Sequence, residues 1–195
     1  LDNTLWGGVI GDDGLAGIVL GHGSPRGEAH LAVQASALAL RDRGIVLAVS
    51  SKNNDAIARQ AFREHPEMLL REDHIAAFQA NWQDKASNLR AIAQTLNIGV
   101  DALVLLDDNP AERMQVREAL PEVGVPELPP EPELYVRTLL AAGYFESVQF
   151  TAEDRERAAQ YQANAARSAM LGSATDLQSH LASLQMEAHM APFDE

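Results

Sequence analysis

The chain has 195 residues, 46% of them hydrophobic, with 28 acidic against 15 basic side chains and a formal charge of -13. That is enough for one substantial core with at most a small appendage; the acidic balance, with no segregated basic patch, argues against nucleic acid as a partner, and no run approaches the roughly 18 apolar residues of a membrane helix, so no membrane association is expected. Cysteine is absent, which excludes disulfides, Cys-ligated zinc and any thioester on this polypeptide and fits a cytoplasmic protein.

Residues 1–22 hold Gly7, Gly8, Gly11, Gly14, Gly17 and Gly21 among short apolar stretches. This predicts a strand end and then a hairpin-like excursion, not a helix. Val9-Ile10 would pair with Ile18-Val19-Leu20 across the turn Asp12-Asp13-Gly14. Ser24 as N-cap and Pro25 in the first turn open a helix that runs to about Arg43, where Gly44 breaks it. The apolar run Ile45 to Val49 reads as a buried parallel strand. Polar Ser50-Ser51-Lys52-Asn53-Asn54 follows as a loop, then a helix from about Asp55 to Glu64. Met68-Leu69-Leu70 is a weaker strand candidate, and a helix spans about Asp84 to Leu96.

The next strand, Ala102 to Leu106, ends in Asp107-Asp108-Asn109-Pro110, and a helix continues to about Leu120. Val123-Gly124-Val125 is a short strand before the proline-rich segment Pro126 to Pro132. Helices are then expected over Glu133 to Ala142, Ala152 to Leu171 and Ala174 to Leu184, with Met186 to Met190 beginning a strand. Strands alternating with helices give an α/β fold with a doubly wound parallel sheet. Residues 1–150 are expected to form the core, with its N-terminal strand missing. Residues 151–195 are a helical extension or the start of a truncated second domain.

In such a sheet ligands bind beyond the carboxyl ends of the strands. Four groups fall there: Asp2 with Thr4, Ser50 with Ser51, Lys85, and Asp107 with Asp108. Carboxylates from two strand ends can hold Mg²⁺ against phosphate oxygens. A lysine neutralises a transferring phosphoryl group, and a hydroxyl binds another of its oxygens. Asp2-Asn3-Thr4 has the form of the second half of an Asp-x-Asp-x-Thr loop. The attacking aspartate, which would form an aspartyl-phosphate, is then expected immediately before Leu1, and Asp2 handles the proton. Each piece also has a plain structural reading. Asp2-Asn3-Thr4 can be a turn, Asp107-Asp108-Asn109-Pro110 and the paired serines can cap helices, and Lys85 can be a solvated helix residue.

The combination resembles the haloacid-dehalogenase-like phosphotransferase superfamily and, within it, the capless FkbH-like subgroup. The stretches that carry the resemblance are Leu1-Asp-Asn-Thr-Leu-Trp-Gly-Gly-Val-Ile-Gly11, Gly23-Ser-Pro-Arg-Gly-Glu-Ala29, Val49-Ser-Ser-Lys-Asn-Asn54, Asn81-Trp-Gln-Asp-Lys85 and Leu106-Asp-Asp-Asn-Pro110. It continues through Pro126-Glu-Leu-Pro-Pro-Glu-Pro132, Gly143-Tyr-Phe-Glu146, Phe150-Thr-Ala-Glu-Asp-Arg155 and Ala191-Pro-Phe-Asp194.

The resemblance implies a Rossmann-like core with a small flap over about residues 7–21 and Mg²⁺ as the metal. It implies transfer of a glyceryl group from 1,3-bisphosphoglycerate to an acyl carrier protein, with removal of phosphate. A plain phosphatase of a small phosphorylated metabolite and a non-catalytic carrier-docking domain are the alternatives.

Residue by residue, Asp2 matches the general acid/base, whose backbone carbonyl also touches the metal, and Thr4 the loop-fixing hydroxyl. Ser51 matches the phosphate-binding hydroxyl and Lys85 the phosphate-binding lysine. Asp107 and Asp108 complete the metal set with Asp2, Asp108 being the favoured direct ligand. Ser50 stands where the family often has a cysteine, so a glyceryl thioester cannot form there. An oxygen ester on Ser50, direct transfer to the carrier, or loss of acyl transfer are the options.

Trp6, His22, Arg26, Ser50, Lys52, Asn53 and Asn109 are further candidate substrate contacts. Trp6 and Trp82 read chiefly as packing groups beside the site loops. Arg26, near a helix N-terminus, either meets an anion or pairs with Glu28. The six histidines show no metal-ligand spacing.

Overall fold

The computed structural model describes residues 1–147 and 151–173. Its helices start where the sequence supplies caps. After a first helix α1 (Ile10–Gly17), helix α2 (Pro25–Asp42) begins with the Ser24 hydroxyl accepting from the Gly27 amide at 3.0 Å and Pro25 in the first turn. Asn54 caps α3 (Asp55–Glu64). Asp84 caps α4 (Lys85–Leu96), which stops at left-handed Asn97. Asn109 and Pro110 open α5 (Pro110–Ala119). Each cap satisfies amide donors that the helix itself cannot.

Strand β1 (Leu47–Ser51) pairs in parallel with β2 (Ile75–Ala80), Ser51 standing opposite Ala80. Both strands therefore finish at one edge, and the loops before α3 and α4 leave side by side. A parallel bridge between Val104 and Gly124, with hydrogen bonds Leu105 to Gly124 and Gly124 to Leu103, extends the parallel pattern.

The main core packs Trp6, Ile10, Leu31, Val49, Phe62, Met68 and Leu70 between the N-terminal loop, α2, β1 and α3. Trp6 and Phe62 meet edge to face at 6.1 Å and are fully buried. Such side chains each stabilise the fold by about 1.5–3 kcal/mol. A second cluster joins α4 and α5 through Leu89, Leu105, Val116 and Leu120. A third pins the segment after Pro126 by Val33, Leu128 and Tyr135. Beyond it lie helices α6 (Tyr135–Ala141) and α7 (Ala152–Ser173). Ala165 and Tyr161 of α7 pack on Ile92 and Leu96 of α4. Together these form a small parallel sheet flanked by helices with a helical C-terminal extension. Among the described residues no helix is long and apolar enough to cross a membrane.

Several expectations are corrected. The flap is not a hairpin: Ile10–Gly17 is helical, broken at Gly14, where φ is +68°. The pairing that closes the excursion is one antiparallel bridge between Gly7 and Val19. β1 begins two residues later than its apolar run, so Ser50 and Ser51 are strand residues rather than loop residues. Met68-Leu69-Leu70 forms no strand; the chain pairs through Ile75–Ala80, which the apolar pattern did not mark. Ala102 to Leu106 and Val123 to Val125 contribute only the single bridge. The helix expected over Ala174 to Leu184 and the strand over Met186 to Met190 lie outside the described residues.

Candidate active site

The site's first wall is the turn at residues 1–8. The Thr4 and Leu5 amides both donate to the Leu1 carbonyl, and Asn3 takes a left-handed conformation that asparagine tolerates. This turn aims the Asp2 carboxylate at the flap. Asp2 Oδ1 accepts from the Trp6 indole N–H at 2.9 Å and from the Ile10 amide, the first of α1, at 3.2 Å. Oδ2 accepts from Asn53 Nδ2 at 3.1 Å. Asp2 is thus held by three N–H donors before any substrate arrives.

The second wall is the acidic loop at 107–109. Thr4 Oγ1 links the walls: it donates to Asp108 Oδ1 at 3.1 Å and lies 3.4 Å from the Asp2 carbonyl oxygen. Lys85, first residue of α4, is buried, with Nζ 2.9 Å from Asp107 Oδ2 and 2.9 Å from the Ser50 carbonyl oxygen. The other oxygen of Asp107 accepts the Asn109 amide. Among the described residues, the side chain that hydrogen-bonds the Asp108 carboxylate is Thr4. Burial, and then the charge of Asp107, push its carboxyl above the usual aspartate range, against the pull of the Thr4 hydrogen bond.

The sheet edge therefore brings together Asp2, Thr4, Ser51, Lys85, Asp107 and Asp108. Among the described residues no three His, Asp or Glu side chains cluster to hold a metal, because Asp2 is committed to the flap and Asp107 to Lys85. A hard cation nevertheless fits. Mg²⁺ needs one or two carboxylates, with water and substrate oxygens for the rest. Among the described residues Asp108 makes no ion pair with a side chain, and Thr4 Oγ1 stands between its carboxylate at 3.1 Å and the Asp2 carbonyl at 3.4 Å.

The remaining candidates sort by contact. Trp6 is fully buried and serves Asp2, so it is no substrate platform. Trp82, expected to pack, is 77% exposed on the loop before Lys85. Asn53 is buried and orients Asp2. Asn109 is a helix cap. Lys52 is tied to Glu112 at 2.5 Å. His22 is exposed, and its amide donates to Glu67. Arg26 makes no ion pair with Glu28; its Nη2 lies 3.5 Å from Asn3 Oδ1 at the mouth of the site. The Ser50 hydroxyl is buried with no hydrogen-bond partner.

Sequence reasoning missed two residues behind the walls. His30 Nδ1 lies 3.0 Å from the Thr4 carbonyl oxygen, and Arg113 donates to the carbonyls of Asp107 and Asp108. The signal was available in helical spacing. His30 and Gln34 lie four apart on the buried face of α2, and Arg113 lies three before buried Val116.

No protein-family model matches the sequence, and no curated protein matches it. Among solved structures the chain is similar to the crystal structure of the N-terminal part of the protein BF1531 from Bacteroides fragilis, containing a phosphatase domain complexed with Mg. The two are 51% identical with a TM-score of 0.75, matched over 77% of this chain and 40% of that one. The chain thus spans less than half the length of that structure. The likeness establishes the Rossmann-like, haloacid-dehalogenase-type fold.

Proposed function

We propose that this chain is the core of a Mg²⁺-dependent phosphatase acting on a small phosphorylated metabolite. The observation that carries this reading is the meeting of Asp2, Thr4, Lys85, Asp107 and Asp108 at one sheet edge, where Thr4 Oγ1 lies 3.1 Å from Asp108 Oδ1 and 3.4 Å from the Asp2 carbonyl and Lys85 Nζ lies 2.9 Å from Asp107 Oδ2. A carboxylate on the preceding residue would stand among them, placed to attack a phosphoryl group and form an aspartyl-phosphate. The similarity to a phosphatase domain complexed with Mg supports it.

In this mechanism Asp2 protonates the leaving oxygen and then takes a proton from water. Its Oδ1 already accepts two N–H bonds and Oδ2 only one, so Oδ2 is the proton-carrying atom. Lys85 neutralises the phosphoryl oxygens, and Asp107 holds its ammonium in place. Ser51, buried at the end of β1 beside the Ser50 carbonyl that anchors Lys85, binds a phosphoryl oxygen. Asp108 and the Asp2 carbonyl would hold Mg²⁺, which when bound would supply positive charge against those oxygens.

The second reading extends this chemistry to glyceryl transfer from 1,3-bisphosphoglycerate to an acyl carrier protein. Exposed Trp82, three residues from Lys85, favours it as apolar rim surface for a carrier's arm. In that reading the glyceryl group passes directly to the carrier thiol, because among the described residues no side chain hydrogen-bonds the buried Ser50 hydroxyl. The test incubates the full-length protein with Mg²⁺, 1,3-bisphosphoglycerate and carrier protein, and follows phosphate release and carrier mass. Phosphate without a carrier adduct supports the phosphatase. A glyceryl adduct supports the second reading. Carrier binding with neither product points to a non-catalytic docking domain and removes both.

A further inference from the structure

Arg113 has no part in the chemistry above, yet it is 3% exposed in an acidic protein and its two terminal nitrogens meet four oxygens. Nη1 donates to the carbonyl oxygens of Asp107 at 2.9 Å and Asp108 at 2.8 Å. Nη2 donates to the Leu128 carbonyl at 3.3 Å and to Glu127 Oε1 at 2.5 Å. Consecutive carbonyls of an extended chain point to opposite sides. Two of them on one nitrogen therefore require a bent backbone, and the chain does bend at Asp108. That bend sends the Asp107 carboxylate to Lys85 and the Asp108 carboxylate to Thr4.

The anchor behind Arg113 is itself secured. Glu127 also pairs with Arg117 at 2.6 Å, and Leu128 is buried against Val33 and Tyr135. The proline-rich segment, to which sequence reasoning assigned no role, thus grips the guanidinium through Glu127 and Leu128.

We infer that Arg113 is a positioning residue: its guanidinium fork sets the bend at Asp107–Asp108 that presents the Asp108 carboxylate to Mg²⁺. This rests on the Mg²⁺ reading of the site. A lysine keeps the charge but not the planar fork. Two effects on metal affinity then oppose each other. By Coulomb's law alone, removing a positive charge near the site tightens Mg²⁺ binding. Loss of the bend weakens it.

The test is titration calorimetry of Mg²⁺ into the full-length protein and its Arg113→Lys and Arg113→Met variants, with folding checked by circular dichroism. Outer partners of metal ligands are typically worth about 10–100-fold in affinity, and a loss in that range is expected for both variants. Tighter binding by Arg113→Met would show that only its charge matters, and an Arg113→Lys affinity within about twofold of the parent would also overturn the proposal. Should neither variant fold, Glu127→Gln at the exposed end of the anchor carries the test: weakening of about threefold supports the proposal and unchanged affinity overturns it. Parent titration alone separates the two levels. No Mg²⁺ uptake there overturns the metal reading together with this proposal, whereas uptake with unchanged variants overturns the proposal only.

Discussion

The two walls of the site hold their aspartates in opposite ways. Asp2 is surrounded by donors the protein built for it: an indole, a helix-start amide and a side-chain amide. Asp108 has one hydroxyl, a negative neighbour and partial burial, and its carboxyl is pushed upward as a result. The lesson is that one carboxylate is preorganised by fixed dipoles, while the other is left short of positive charge where a cation would supply it. Asp107 lies between the extremes, its charge met by buried Lys85.

The largest effect expected from breaking this comparison is at that pair. Arg and Lys partners of buried carboxylates cannot be removed cheaply, since a buried charge is then left alone. Lys85→Met is predicted to cost about 3–5 kcal/mol of stability, measured by urea unfolding, and to abolish measurable turnover. Retention of parent stability would mean that Asp107 is not held as described.

Asp2→Asn comes next. It keeps an acceptor for Trp6 and Ile10 but cannot carry the proton. Turnover should fall about 10²–10⁴-fold in steady-state assays while calorimetric Mg²⁺ affinity stays near that of the parent. A comparable loss of metal binding would place the Asp2 side chain on the metal after all.

How much of this was legible in the sequence depends on the kind of signal. Helix starts were visible because caps are local: Ser24-Pro25, Asp84 and Asn109-Pro110 each sit where the structure opens a helix. β2 was not, because Ile75-Ala-Ala-Phe-Gln-Ala lacks the β-branched run that marks a strand. Met68-Leu69-Leu70 offered a false one, its Met68 and Leu70 being buried without any ladder. In the flap, six glycines suggested a turn, yet only Gly14 breaks the helix there.

The site showed the same division. Asp2, Lys85 and Asp108 were legible as residues at element ends. The contacts of Trp6 and Arg113 were not, since which buried donor meets which carboxylate or carbonyl is decided by packing between distant segments.

Smaller changes sharpen the Asp2 side. Trp6→Phe keeps the ring in the core but removes one donor from Asp2 Oδ1. The expected cost is about 1 kcal/mol of stability with a several-fold drop in rate. An unchanged rate in the same assays would show that the remaining amide and Asn53 suffice to hold the carboxylate.

The smallest expected effect is a pH dependence behind the same wall. Burial, only partly offset by the Thr4 carbonyl, holds the His30 imidazole below its ordinary value of 6.5. The unfolded chain therefore binds the proton more readily than the folded one. Stability contributed by neutral His30 is full above about pH 6.5 and is lost as pH falls below it. Thermal unfolding from pH 7.5 to 5.5 should show the loss, and His30→Gln should flatten it. His65, also lowered by burial, contributes in the same direction, so flattening is partial.

The contrast between the walls is tested most directly by thermal unfolding of the full-length protein, Asp108→Asn and Asp2→Asn, each with and without Mg²⁺. In metal-free protein near neutral pH, a carboxyl raised above its unfolded value destabilises the fold, so Asp108→Asn should melt at or above the parent. With Mg²⁺ at 100 times its Kd, the parent and Asp2→Asn should each gain about 2.7 kcal/mol, and Asp108→Asn almost nothing. Equal gains in all three proteins, or metal-free destabilisation by Asp108→Asn, would contradict the account that Asp108 is the carboxylate left for the cation.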